Sequence, residues 1–376
     1  MFDKELASLK KDNLYRNVSV SKGFDFSSND YLGLSSNEVL RSRVISCIET
    51  EKSLGSSSSR LIRGNHSAYD EVERYLAKFL NREASLIFNS GYSANEGVIS
   101  TICRDGVIFS DELNHASIID GIKLSKSDYQ IFRHADLSHL RNLLEQTRSG
   151  VKKYIIVESL YSMDGDIFPL RQLLDLCREF DAWAIIDEAH ATGVFGDKGE
   201  GLLGQFHGDL EKVISIHTCG KALGGMGAFI GCTRQIRNYL INKCRQFIYT
   251  TALPPWVVRQ IQLSIEFVQE FPKLREDLFS NVELMQRNLD LLKKSKIYPT
   301  QIMPLILGES ERALNWSKEL LTKGLDVKAI RYPTVPNDKA RLRISIHSNH
   351  REEDIRYLND SLREISEKEK GEYVCL

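Results

Sequence analysis

What the chain lacks narrows its function before any motif is considered. No apolar run approaches the ~18 residues needed to cross a bilayer. Its 50 basic residues are balanced by 51 acidic ones, so neither bulk attraction to nucleic acid nor to an anionic membrane is expected. The seven cysteines, Cys47, Cys103, Cys177, Cys219, Cys232, Cys244 and Cys375, include no C-x-x-C pair, a scatter that suits reduced thiols rather than a disulfide framework or a zinc site. His134, His139, His207, His217, His347 and His350 form no H-E-x-x-H motif and no compact ligand cluster, so no metal is expected. Met1 to Lys11 has neither the apolar core of a signal peptide nor the acid-poor character of a transit peptide, and the expected location is cytoplasmic. Internal repeats are absent, and the one low-complexity spot, Gly55 to Ser59, is too short for a linker.

What is present is enough apolar material for a large core. In 376 residues, 42% are hydrophobic, which predicts a major and a minor globular unit. Short β-rich runs alternate with helical patterns: Ser85 to Phe88, Val107 to Phe109, Gln130 to Phe132, Tyr154 to Val157, Trp183 to Ile186, Val213 to Ile216 and Ala228 to Ile230. This α/β rhythm predicts a mostly parallel sheet with helices on both faces. Asp70 to Leu80 and Leu170 to Phe180 each carry one apolar stripe at helical spacing. Beyond residue 268 a charged helical stretch leads to short strands at Met303 to Leu307, Val327 to Ile330 and Leu342 to Ile346. The expected organisation is therefore an N-terminal segment over 1–31, a large domain over 32–268 and a small C-terminal α/β domain over 269–376. Leu253-Pro254-Pro255 and Tyr332 to Pro336 are expected to be rigid connectors.

In open α/β sheets, ligands bind beyond the carboxyl ends of strands, where several polar groups fall here. Asp187-Glu188-Ala189-His190 follows one run, Thr218-Cys219-Gly220-Lys221 another, and Asn89-Ser90-Gly91-Tyr92 a third. Lys221 in a Gly-flanked turn suggests either a phosphate-binding P-loop or an imine-forming lysine. The P-loop pattern would need glycine at 215 and a hydroxyl at 222, where Ser215 and Ala222 stand. An imine with a carbonyl cofactor remains, since a lysine amine responds strongly to its surroundings. Pyridoxal 5'-phosphate asks for such a lysine, an acid for its ring nitrogen and donors for its phosphate. Asp187 could supply the acid, and the N–H groups of Gly91 and Tyr92, opening a helix near Ser93, could supply the donors. Taken singly, each residue has a bland explanation as well. Lys221 could be a solvated turn lysine, Asp187 a helix cap, Gly91 a turn glycine, His115 and His190 satisfied polar residues, and Arg343 one end of a surface ion pair.

The ordered set SSNDYLGL (Ser27 to Leu34), SRLIRGNH (Ser59 to His66), SGYSANE (Ser90 to Glu96), NHAS (Asn114 to Ser117), SMDGD (Ser162 to Asp166), DEAHATGVFG (Asp187 to Gly196), TCGKALGG (Thr218 to Gly225), YTTALPP (Tyr249 to Pro255), RYPTVP (Arg331 to Pro336) and RLRISI (Arg341 to Ile346) resembles the α-oxoamine synthases, a family of fold-type I pyridoxal-phosphate enzymes. The resemblance covers all but the first ~25 residues and implies a homodimeric acyltransferase that condenses an amino acid with an acyl thioester and releases carbon dioxide. L-alanine and a pimeloyl thioester of coenzyme A or acyl carrier protein are the implied substrates. Glycine or serine C-acyltransfer, and a non-catalytic binding protein of the same fold, are the alternatives. Lys221 is implied to carry the cofactor, with Asp187 on the ring nitrogen and His115 stacked on the ring. Ser162 and His190 are implied at the phenolic oxygen, and Gly91, Tyr92 and Thr218 at the cofactor and its phosphate. Thr250 or Thr251 is implied to reach the phosphate of a partner subunit. Arg343 is implied to hold the amino-acid carboxylate, Asn29 to help hold the substrate, Thr334 to line the acyl pocket and Arg16 to meet the acyl group. Ser56 to Ser59 stand where the family often has glycines, a departure that concerns the shape of that loop.

Overall fold

A computed structural model describes residues 2–12, 14–18, 20–51, 53–206, 208, 210–288 and 298–374. His207 and Cys375 therefore lie outside the described residues. In chain order the strands are β1 (Phe24–Asp25), β2 (Ala84–Phe88), β3 (Gly106–Asp111), β4 (Asp128–Phe132), β5 (Lys152–Glu158), β6 (Trp183–Asp187), β7 (Val213–Thr218), β8 (Ala228–Cys232), β9 (Ile302–Gly308), β10 (Leu325–Asp326), β11 (Lys328–Ile330) and β12 (Ala340–Ser345). Two compact units result, one of residues 32–161 and 167–272, the other of residues 1–31, 162–166 and 273–376.

The larger unit is built on a seven-stranded sheet in the order β2-β8-β7-β6-β5-β3-β4. Strands β3 to β7 run parallel to their neighbours within that set, and β8 is antiparallel to both β2 and β7. These are the β-branched and aromatic runs of the sequence. Apart from the edge strand β4, where only Phe132 is buried, their side chains are largely buried on both faces, which is why they read as nearly continuous apolar segments. One face packs Ile108, Ile156, Ile185 and Ile214 against Val98, Ile99, Ile118 and Ile122 of the helices Gly91–Ile102 and Ala116–Ser125. Because β5, β6 and β7 are parallel, their polar last residues emerge on one edge. Glu158 pairs in register with Asp187, and Asp187 with Ile216, two residues before Thr218.

The second unit holds the antiparallel sheet β11-β12-β9 and the parallel pair β1-β10, with helices Lys273–Asn288, Ser310–Thr322 and Glu352–Val374. Two details differ from the sequence reading. The expected strand Val327 to Ile330 starts one residue later, as β11, and Leu325–Asp326 before it form a separate strand, β10, which pairs with a different partner. Pro255, expected in a connector, is the first residue of the helix Pro255–Glu270, where its fixed φ and missing N–H cost nothing. Among the described residues no helix is long and apolar enough to cross a membrane.

Candidate active site

The edge where the parallel strands end carries the polar cluster. Lys221 follows β7 in a turn closed by Cys219 N–H to Gly227 O, Gly225 N–H to Cys219 O and Gly224 N–H to Lys221 O. Gly224 has φ 62°, and a Cβ there would lie 2.5 Å from the Ser35 nitrogen, so both backbone conformation and space demand glycine. The turn brings Lys221 Nζ to 2.8 Å from His190 Nε2. His190 lies three residues past β6 and is buried.

Asp187, the last residue of β6, is 6% exposed. Its Oδ1 accepts from the Ala189 amide at 2.8 Å and its Oδ2 from Asn95 Nδ2 at 2.7 Å. The capping contact expected of an aspartate there is therefore made, but it occupies only one oxygen. His115 caps the helix Ala116–Ser125 through Nδ1, which accepts from the Ser117 amide at 3.2 Å. Burial pushes its imidazole below the ordinary histidine value, opposed by the Asp187 carboxylate and reinforced by the Lys221 charge. The His115 backbone N–H donates to Glu158 Oε1 at 2.7 Å. Burial, followed by the neighbouring Asp187 charge, raises the Glu158 carboxyl well above its ordinary value.

The helix Gly91–Ile102 starts two residues before the expected Ser93, because Ser90 caps it, accepting from the Ser93 amide at 3.1 Å. The Gly91 and Tyr92 amides precede the first intrahelical bond, from Ala94 N–H to Ser90 O, the position at which a helix start can receive an anion. A Cβ on Gly91 would stand 3.3 Å from Thr218 Cβ and Oγ1, so the glycine keeps a narrow gap between the helix start and the end of β7. The Tyr92 hydroxyl donates to Asp120 Oδ2, and its ring meets His115 edge-on at 6.2 Å. Asn89 Nδ2 donates to Thr250 Oγ1 at 3.2 Å and to the Thr251 carbonyl at 2.7 Å. A ring bearing a phosphate, a carbonyl and a basic nitrogen fits this donor set: an amine beside an imidazole, an oriented buried carboxylate, and free helix N–H groups behind a glycine.

The remaining sequence candidates belong to the other unit. Arg343 is 6% exposed, not a surface residue, which sets aside the ion-pair explanation. Its Nε donates to the Ser162 carbonyl at 2.6 Å, Nη1 to Ser345 Oγ at 2.8 Å, and Nη2 to Asn29 Oδ1 at 3.0 Å and the Tyr31 hydroxyl at 3.1 Å. Ser162, Asn29 and Arg343 are thus brought together, whereas Arg16 and Thr334 are exposed. Three residues of the cluster escaped the sequence reading: Asn95, Ser117 and Glu158. Asn95 carried a signal, since a mid-helix asparagine has poor helix propensity and is better explained by a tertiary partner.

The model of aminotransferase class I and II matches residues 21–362. The chain belongs to the aminotransferase class I and II family. Within this family its relatives are α-oxoamine synthases. It is 38% identical to a protein of Aquifex aeolicus (strain VF5) provisionally named 8-amino-7-oxononanoate synthase, over 96% of this chain and 98% of that one. It is also 38% identical to a protein of Bacillus thuringiensis subsp. konkukian with the same provisional name, over 97% and 96% of the two chains. Among solved structures, serine palmitoyltransferase from S. paucimobilis with a bound PLP–myriocin aldimine matches with TM-score 0.86 and 26% identity, over 96% of this chain and 95% of that one. The 8-amino-7-oxononanoate synthase of Francisella tularensis matches with TM-score 0.76 and 30% identity, over 93% and 99%. This aminotransferase class I/II chain is an α-oxoamine synthase of fold type I.

Proposed function

We propose that the protein is an 8-amino-7-oxononanoate synthase, joining L-alanine to a pimeloyl thioester of coenzyme A or acyl carrier protein, with release of the thiol and carbon dioxide. It is a pyridoxal-phosphate-dependent acyltransferase. The observation that carries the finer reading is the full-length 38% identity to relatives provisionally given that name, joined to the Lys221–His190 pair beside Asp187. Serine palmitoyltransferase has the higher TM-score but lower sequence identity, and pocket side chains, not backbone path, set substrate choice.

Pyridoxal phosphate, when bound, supplies a carbonyl for the amine and an electron sink for the α-carbon. Lys221 would hold it, and its Nζ, when free, would take the α-proton and later return a proton to carbon. Asp187, fixed through both oxygens, would hold the proton on the ring nitrogen. His115 would lie against the ring, and His190 and Ser162 would serve its phenolic oxygen. The amides of Gly91 and Tyr92 and the Thr218 hydroxyl take the phosphate. Arg343 offers a fork for the amino-acid carboxylate, already oriented by Asn29, Tyr31 and Ser345. Thr334 and Arg16 are assigned to the acyl chain, and Thr250 or Thr251 to a partner's phosphate in a homodimer.

Product analysis with L-alanine, glycine and L-serine against several acyl thioesters tests the substrate assignment. The expected product is 8-amino-7-oxononanoate from L-alanine and a pimeloyl thioester. Preferred turnover of serine with a long-chain thioester would replace this reading by the palmitoyltransferase one. Borohydride reduction followed by peptide mapping tests the lysine, and label on any peptide lacking Lys221 would overturn it.

A further inference from the structure

Asn95 occupies the fifth position of the helix Gly91–Ile102 and is 3% exposed. Its Nδ2 donates to Asp187 Oδ2 at 2.7 Å and to Ser117 Oγ at 2.9 Å. A carboxylate can only accept, so the amide must present its NH2 group to Asp187. That orientation leaves Asn95 Oδ1 buried and without a hydrogen-bond partner. Burying an unpaired carbonyl oxygen in a helix interior is unfavourable, so packing alone does not explain an asparagine here.

The second donor of Asn95 leads to His115. Ser117 Oγ accepts from Asn95 and directs its own hydrogen to His115 Nδ1, 2.8 Å away. The Ser117 amide donates to the same nitrogen at 3.2 Å. Two donors on Nδ1 make it an acceptor, so the neutral imidazole carries its proton on Nε2. The path Asp187–Asn95–Ser117–His115 is continuous and links side chains that arise from β6 and from two helices.

We propose that Asn95 is a positioning residue for the cofactor ring: its single NH2 group orients the Asp187 carboxylate and, through Ser117, sets the tautomer and plane of His115. The acid at the ring nitrogen and the imidazole on the ring face are thus held by one side chain. This rests on the reading of Asp187 and His115 as the ring's partners.

The test uses holoenzyme of the wild type and of Asn95→Ala, Ser117→Ala and Asp187→Asn. The visible absorbance of bound pyridoxal phosphate is titrated with pH, kcat and KM for L-alanine are measured, and apoenzyme is titrated with cofactor. Asn95→Ala is expected to shift the pH midpoint of the visible band and to weaken cofactor binding. It should also lower kcat about tenfold or more, the effect of removing a hydrogen bond to a charged group, with KM changed far less. Ser117→Ala, which cuts only the His115 branch, should lower kcat by less and leave the band's midpoint in place. A wild-type pH profile and kcat in Asn95→Ala, with only the thermal midpoint reduced, would overturn the inference. If Asn95→Ala gives no soluble holoenzyme, Ser117→Ala decides, and wild-type kcat and cofactor affinity in it would sink the relay. Asp187→Asn separates the two levels: if it too leaves the spectrum unchanged, the reading of Asp187 fails, whereas a changed spectrum there and an unchanged one in Asn95→Ala removes the Asn95 inference alone.

Discussion

Arg341 and Arg343 leave β12 on the same face, two residues apart, and their guanidinium groups meet different partners. Arg341 donates to the Asp164 carboxylate at 2.5 Å and to the Met163 carbonyl at 3.2 Å, with its charge paired. Among the described residues Arg343 donates to neutral acceptors, the Ser162 carbonyl, Asn29 Oδ1 and the Tyr31 and Ser345 hydroxyls. A cation held by neutral groups keeps its attraction for an incoming carboxylate, and one already paired does not.

Arg343→Lys is therefore expected to weaken apparent L-alanine affinity about tenfold or more in a spectral titration while cofactor binding persists, because a point charge replaces a planar fork. Arg341→Lys should leave L-alanine affinity within about twofold. It should instead cost about 1–2 kcal/mol of stability, a discounted value because Asp164 is one-third exposed. The reverse pattern in urea melts and amino-acid titrations would exchange the two roles.

Gly91→Ala would place a methyl group 3.3 Å from Thr218 Cβ and Oγ1 without backbone strain, since Gly91 is in the ordinary helical conformation. Cofactor affinity should fall about tenfold, ~1.4 kcal/mol, with the thermal midpoint of the apoenzyme little changed. Unaltered affinity in an absorbance titration would separate the phosphate from this end of the helix.

Glu188 gives a pH dependence with a definite sign. It is fully buried, accepts from Ser159 Oγ and the Leu202 and Leu203 amides, and burial pushes its carboxyl up from 4.5 to about 7 against those donors. A raised folded value means that protonation favours the native state. The contribution is fully present below about pH 4.5 and is lost as pH rises to about 7, on the order of 3 kcal/mol in all. Glu188→Gln should flatten the fall in urea-midpoint stability across that window relative to wild type. Parallel pH profiles of the two proteins would contradict this.

The homodimer reading has a direct measurement. Leu54, Ile62, Met226 and Tyr249 are exposed on the larger unit at 81%, 82%, 56% and 72%, apolar side chains that a second copy of the chain would cover. Light scattering should give twice the chain mass, and Thr251→Ala or Thr250→Ala should reduce cofactor affinity in the dimer. A fully active monomer would exclude shared sites.

Much of this was legible along the chain. The apolar runs ending at Ile186, Ile216 and Phe88 became β6, β7 and β2, because burial on both faces of a sheet leaves a continuous β-branched signature. The segments after those runs, with Lys221, His190 and Gly91, stood out by position as candidates, since parallel strands deliver their ends to one edge, while the roles assigned to them came from the family resemblance. Tertiary structure decided the partners. Asn95 meets Asp187 across 92 residues, Glu158 meets the His115 amide across 43, and Arg343 rather than Arg341 faces neutral groups. Local sequence fixes φ/ψ preference and which faces are apolar, but a side-chain hydrogen bond between distant segments depends on strand register and helix placement together. Those are set by packing of the whole core, in which no single segment carries the information.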